Sequence, residues 1–167
     1  YLYCLAAFKA HPEVFNQLAL IRMGLGGVKG RSETKWQLLA TDALATTMMV
    51  AMTGGLKYSI NRTRPDGDDG GFPSGHTATA FMGATLLAHE YGHISGWIPA
   101  AGYTMATATG VLRILNNRHY ASDVLVGAAI GILSAELAYW ATDAIFNKRK
   151  LFKPKRARIH YEVLKNY

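Results

Sequence analysis

The chain has 167 residues, enough for one domain around a single core, and it begins at Tyr1, as a fragment or a processed form does. Cys4 is the only cysteine, which excludes an internal disulfide and any cysteine-based metal site. The formal charge of +7 comes from one stretch: "KRKLFKPKRAR", residues 148–158, holds seven basic residues, and the rest is balanced at 11 Lys/Arg against 11 Asp/Glu.

Apolar runs rich in Ala, Leu, Met and Gly, with little β-branched alternation, predict helices throughout. A first helix is expected over residues 2–22, ending at the Gly-rich "GLGGVKGRS". Ser32 is placed to cap a second helix, with Glu33 in its first turn. That helix is expected to run to Pro65, because proline disfavours helix in the residue before it. Lys57 and Arg64 are seven apart within it, so both can project from one face, and Arg62 adds a third cation. Two cations at a helix end suit a phosphate, but the pattern alone is weak and an ordinary solvated basic face explains it as well.

"DGDDGG", residues 66–71, reads as a polar loop. "FPSGHTATAF" follows, with Pro73, Ser74 and Gly75 where a loop turns into the next apolar run, expected as a helix over 75–91. Helix starts carry unpaired N–H groups that attract anions. Gly75 lets an anion come close to the backbone, the Ser74 hydroxyl can donate to it, and His76 stands beside it. The bland reading is an N-cap serine followed by an incidental histidine.

The end of that helix carries His89-Glu90-x-x-His93, the short signature of a zinc peptidase. The extended form needs a third histidine where this chain has Pro99, and Gly92 weakens the helix. The expectation is a polar helix end and no metal site. His11 and His160 have no partners in sequence and read as surface residues.

Further helices are expected over 98–115 and 121–147. Between them lies "LRILNNRHYASD", residues 112–123. If His119 and Asp123 share a helical turn, the i to i+4 spacing puts the carboxylate beside the imidazole, which fixes its tautomer and makes the other nitrogen a better nucleophile. A surface His–Asp pair at a helix start is the bland alternative. Taken together, the three basic stretches supply the inventory of phosphoryl transfer: cations for the equatorial oxygens, a nucleophile and an acid.

These residues resemble the type 2 phosphatidic acid phosphatase (PAP2) and vanadium haloperoxidase superfamily. Its pattern is Lys, six residues, Arg-Pro; then Pro-Ser-Gly-His; then Ser-Arg, five residues, His, three residues, Asp. It matches Lys57, Arg64 and Pro65; residues 73–76; and Arg113, His119 and Asp123, with Leu112 where the family has serine. The resemblance implies a phosphatase acting through a phosphohistidine: His119 as nucleophile, Asp123 as its orienter, and His76 as acid for the leaving alcohol. Lys57, Arg64, Ser74, Gly75 and Arg113 would hold the phosphate, with no metal or other cofactor.

The fold expected is all-α, a single compact PAP2/haloperoxidase-like bundle of about five to six helices, over residues 1–147, with a basic tail over 148–167. The tail and the marginal hydropathy suggest a domain at or near a membrane surface, with a few spanning helices carrying intramembrane carboxylates as the alternative, acting on a phosphorylated lipid in a bacterial-type envelope, membrane-associated or periplasm-facing. Each surface Lys or Arg contributes roughly 1 kcal/mol to binding anionic headgroups. Nucleic acid is not expected, because no aromatic interleaving accompanies the charge. The alternatives are a soluble class A-type acid phosphatase, a vanadium haloperoxidase, a zinc peptidase and a non-catalytic anion-binding module.

Overall fold

The computed structural model describes residues 27–32 and 34–146. The expected first helix, Glu33 and the basic tail lie outside them. Among the described residues there are four helices and no strand: α1 (Lys35–Ser59), α2 (Gly75–Tyr91), α3 (Trp97–Leu115) and α4 (Ala121–Phe146). The molecule is all-α, as expected. The helices run alternately up and down. The end of α1, the start of α2, the end of α3 and the start of α4 therefore meet at one end of the bundle.

Two boundaries differ from expectation. Thr34, not Ser32, caps α1, accepting the Gln37 N–H at 3.1 Å; Ser32 donates from its backbone and its hydroxyl to Glu90. Helix α1 ends at Ser59, short of Pro65. The chain leaves the helix axis there, and residues 60–64 cross towards the start of α4. Lys57 and Arg64 therefore do not share a helix face. They come together because the loop folds back, with Gly71 N–H donating to the Arg62 carbonyl at 2.7 Å and Arg64 N–H to the Asp68 carbonyl at 2.7 Å.

Helix α2 is central, packed between α3 and α4, and α1 covers the other side of α4. The main core gathers Ala45 and Met49 of α1, Ala78, Met82, Leu86 and Tyr91 of α2, and Ile130, Ala135, Ala138 and Tyr139 of α4. A smaller cluster of Ala80, Ala84 and Ala106 joins α2 to α3. The α2–α4 contact is close because α4 offers Gly127 and Gly131. A Cβ at either would run into a carbonyl of the facing segment, Ser74 or Ala78. This small-xxx-small spacing lets two backbones approach.

The distribution of polarity is unusual for a protein in water. The interior holds Gln37, Thr41, Thr53, Thr77, Thr85, Glu90, Thr109, Asp123, Ser134 and Thr142. The outer face of α4 presents Leu125 (70 % exposed), Leu133 (51 %), Leu137 and Ile145. Helix α4 is the one described helix long and apolar enough, by length and composition, to cross a membrane. Exposed tryptophans sit at one end of the bundle, Trp36, Trp97 and Trp140, and exposed tyrosines at the other, Tyr58 and Tyr120.

Candidate active site

The end of the bundle where the helix termini meet collects the sequence-predicted residues. Helix α3 stops in a tight turn. Asn117 has φ 54°, a left-handed conformation that asparagine tolerates. The Arg118 N–H returns to the Arg113 carbonyl at 3.0 Å and the Asn117 N–H to the Ile114 carbonyl at 3.0 Å, a Schellman arrangement. The His119 N–H also points at the Arg113 carbonyl, at 3.3 Å. The turn therefore ties the imidazole-bearing residue to the last turn of α3.

His119 is buried, and its Nδ1 lies 2.7 Å from the Gly71 carbonyl. A carbonyl only accepts, so Nδ1 carries the hydrogen and Nε2 keeps its lone pair. This departs from the expected geometry. Asp123 Oδ2 is 3.9 Å from Nδ1, too far for a hydrogen bond. The reason is that His119 precedes α4, while Asp123 lies in its first turn and serves the helix start. Oδ2 accepts the Tyr120 N–H at 2.8 Å, the acidic arm of a capping box, and Oδ1 accepts from Arg62 Nη1 at 3.0 Å. Gly71, not Asp123, makes the short bond to the ring.

The cations surround this point. Lys57 Nζ donates to the Gly70 carbonyl at 2.7 Å, one residue from the carbonyl that holds His119. Nε of Arg64 and Nε of Arg113 are buried and have no protein acceptor. Burial pushes the His119 imidazole below its ordinary 6.5. The Gly71 bond acts the other way, Lys57 and Arg64 push further down, and Asp123 pulls up. The balance favours a neutral ring.

The start of α2 is joined to the start of α4 by the Ser74 N–H, which donates to the Asp123 carbonyl at 3.0 Å. The Ser74 hydroxyl is fully buried and engaged with Thr77, accepting its N–H at 3.4 Å and meeting its hydroxyl at 2.9 Å. It caps the helix, where the sequence suggested a direct anion contact. A Cβ built at Gly75 meets no protein atom within 4 Å, so the space beside the helix start is open. His76 follows on the first turn, exposed.

Sequence reasoning missed three contributors. Gly71 acts through a main-chain carbonyl, which leaves no side-chain signature. Arg62 was counted only as an extra charge. Arg118 pairs with Asp66 at 3.0 Å and Asp68 at 3.2 Å and thereby holds the acidic loop beside the site.

The other end of the bundle holds the zinc-peptidase signature, and its residues diverge. Glu90 is 1 % exposed and accepts from Ser32 N–H at 2.9 Å and Tyr139 O–H at 2.8 Å. His89 stacks on Tyr139 and lies 2.7 Å from Glu136 through Nε2. His93 lies beyond the helix, exposed. Among the described residues no three His, Cys, Asp or Glu side chains are grouped to hold a metal ion.

The profile of the PAP2 superfamily matches residues 66–146, which covers two of the three motifs and α2 to α4. The chain belongs to the PAP2 superfamily. It is 53 % identical over 130 residues to the lipid A 1-phosphatase of Porphyromonas gingivalis, covering 77 % of this chain and 29 % of that protein. It is 33 % identical over 82 residues to the bacitracin transport permease protein BcrC of Bacillus licheniformis, covering 49 % of this chain and 38 % of that protein. The chain thus spans less than half the length of either curated relative. Its fold is similar to the crystal structure of Aquifex aeolicus LpxE, with TM-score 0.62 and 26 % identity, covering 81 % of this chain and 85 % of that one.

Proposed function

We propose that the chain carries the catalytic site of a PAP2-type lipid phosphatase, a phosphoric ester hydrolase that works through a phosphohistidine. The observation that carries this reading is the convergence of helix termini on His119. Its Nε2 is left with a lone pair, and the buried Nε donors of Arg64 and Arg113, with no protein acceptor, lie on the neighbouring motif segments. A phosphoryl oxygen is the acceptor such donors suit.

In this mechanism Nε2 of His119 attacks phosphorus in line with the ester oxygen. The P–O bond breaks as the N–P bond forms, and His76 delivers a proton to the departing oxygen. Water then attacks the phosphohistidine, giving its proton to His76 and releasing phosphate. Lys57, Arg64 and Arg113 balance the charge on the equatorial oxygens, with the open backbone at Gly75 beside them. Asp123 acts at a distance, holding the start of α4 and favouring the cationic ring that forms on phosphorylation.

Three observations favour a lipid. The relatives named above include a lipid A 1-phosphatase. Buried hydroxyls and carboxylates are mixed into the apolar core while leucines and isoleucines face outward, an arrangement that suits a bilayer-embedded protein. Trp36 and Tyr58 on α1, 22 residues apart, are separated by about 33 Å at 1.5 Å per residue, close to the roughly 30 Å hydrocarbon core. In this reading the tryptophans mark one interface and the tyrosines the other, so the site lies at headgroup level. An open apolar groove of about 630 Å³ runs along the outer face of α3, lined by Tyr103, Thr107, Val111 and Leu112, and offers apolar surface to an acyl chain.

The test is phosphate release from a panel of lipid phosphates in vesicles, against a soluble aryl phosphate, for wild type and His119→Ala. Turnover of the lipids that His119→Ala loses supports the proposal. Preference for the soluble ester would place the chain in the acid-phosphatase branch, and turnover that survives His119→Ala would remove the phosphohistidine.

A further inference from the structure

Arg62 lies within the six-residue spacer between Lys57 and Arg64 and matches no motif position. Its surroundings are nonetheless specific. Nη1 donates to Asp123 Oδ1 at 3.0 Å and to the Ser122 hydroxyl at 2.8 Å, and the guanidinium carbon sits 4.4 Å from the centre of the Tyr120 ring. Its own carbonyl accepts the Gly71 N–H at 2.7 Å, and the Gly71 carbonyl is the acceptor for His119 Nδ1. Arg62 therefore reaches the imidazole by two routes. The side-chain route passes through Asp123, 3.9 Å from Nδ1; the main-chain route passes through the Gly71 peptide.

We propose that Arg62 is a positioning residue for His119: its guanidinium holds Asp123 on the start of α4 while its carbonyl holds the Gly71 peptide, so that Nδ1–H stays on Gly71 and Nε2 faces the phosphoryl group unprotonated. The proposal rests on the reading of His119 as nucleophile. The physical reason lies in Asp123, which is fully buried. A buried carboxylate without a cation is costly, and an imidazole 3.9 Å away offers the nearest remedy: the ring takes a second proton or turns towards the carboxylate. Arg62 removes that incentive. The other charged groups facing the ring are Lys57 from α1, Arg64 from the loop and Asp123 from α4. Lys57 is engaged with Gly70 and Arg64 lies 3.8 Å from Asp68, so neither takes over the bond to Oδ1. Without the Arg62 side chain, the cationic ring is favoured and His119 is neutral over a narrower pH range.

The test compares Arg62→Gln and Arg62→Lys with wild type, full chain in lipid-detergent micelles, by two readouts. The first is the acid limb of the pH profile of kcat/KM on a lipid phosphate. The second is the titration midpoint of the His119 ring by NMR of ¹⁵N-histidine-labelled protein, assigned by the signal lost in His119→Ala. In Arg62→Gln both should move up by about one unit, the low end of the roughly 1–3 units that one nearby charge produces. In Arg62→Lys, which keeps a cation, both should stay within about 0.2 unit of wild type, small against the unit that corresponds to 1.36 kcal/mol. A midpoint that stays put in a folded Arg62→Gln overturns the proposal and leaves Arg62 as a staple for the start of α4. Should Arg62→Gln not fold, Asp123→Asn decides: a lowered His119 midpoint supports the proposal, and an unchanged one overturns it, since the carboxylate then has no hold on the ring. Absence of turnover in wild type would count against the phosphatase reading, while the NMR midpoint still decides the part played by Arg62.

Discussion

The chemistry proposed here comes down to the state of two imidazoles. His119 must be neutral to attack, and burial with two neighbouring cations holds it below its ordinary 6.5. The sign for stability follows. The unfolded ring protonates near 6.5 and the folded ring only at lower pH, so His119 adds nothing to pH dependence above that value. Below it the unfolded state binds the extra proton and folding weakens until the folded midpoint is passed. The activity prediction is a bell-shaped profile whose acid limb lies below pH 6.5, with His76 setting the basic limb; steady-state kinetics over pH 4–9 tests it. His76→Ala should lower kcat by about 10²- to 10⁴-fold on an alkyl phosphate and far less on an aryl phosphate, whose leaving oxygen needs little protonation. Equal losses on the two esters would remove His76 from the acid role. At this scale the sequence was partly legible. Side chains that carry charge announced themselves by type and spacing. The partner of the His119 ring did not, because a main-chain carbonyl 48 residues away has no letter of its own.

At the level of single helices, boundaries followed from apolar periodicity and caps, and α2, α3 and α4 fall within a residue of where the sequence puts them. Helix α1 was the exception. Nothing in "SINRT" forbids another turn of helix, and the chain leaves at Ser59 to make tertiary bonds through Arg62 and Arg64. The start of α2 gives a prediction that separates stability from chemistry. Gly75→Ala adds a methyl group where no protein atom lies within 4 Å, and alanine is the better helix former. The thermal midpoint should hold or rise while kcat/KM falls by tenfold or more, as the methyl group crowds the space assigned to phosphate. An unchanged kcat/KM would mean that phosphate binds elsewhere. The far end of α2 gives a second. Glu90→Gln should cost about 1–3 kcal/mol by weakening the bonds from Ser32 and Tyr139. Chelator should leave both the thermal midpoint and activity unchanged; a loss on chelation would revive the metal reading of His89-Glu90-x-x-His93.

For the whole molecule, the sequence leads to a domain at or near a membrane surface, with a few spanning helices as the alternative, and the outward leucines of α4 support the proposal that the bundle sits within the bilayer. Average hydropathy does not separate the two placements, because buried threonines, glycines and carboxylates offset the leucines outside. Which residues face outward is decided by packing, and packing is not written in an average. Leu133→Lys distinguishes the two placements. On a water-exposed face the change is nearly neutral, within about 0.5 kcal/mol. Near the middle of a membrane helix it costs about 2.5–3.5 kcal/mol, read as loss of carbonate-resistant membrane association.

The loop that presents Gly70 and Gly71 is fastened on its outer side by Arg118 to Asp66 and Asp68, where the guanidinium is about half exposed. Dissolved ions reach that fastening easily, and at 1 M ionic strength the screening length shrinks to about 3 Å. In the Arg62–Asp123 pair the carboxylate is fully buried and only the arginine, 40 % exposed, meets solvent, so that pair is screened less. Brine should therefore loosen the mouth of the site while leaving its floor intact, and turnover would decline with a non-competing salt such as sodium chloride well before the helices melt.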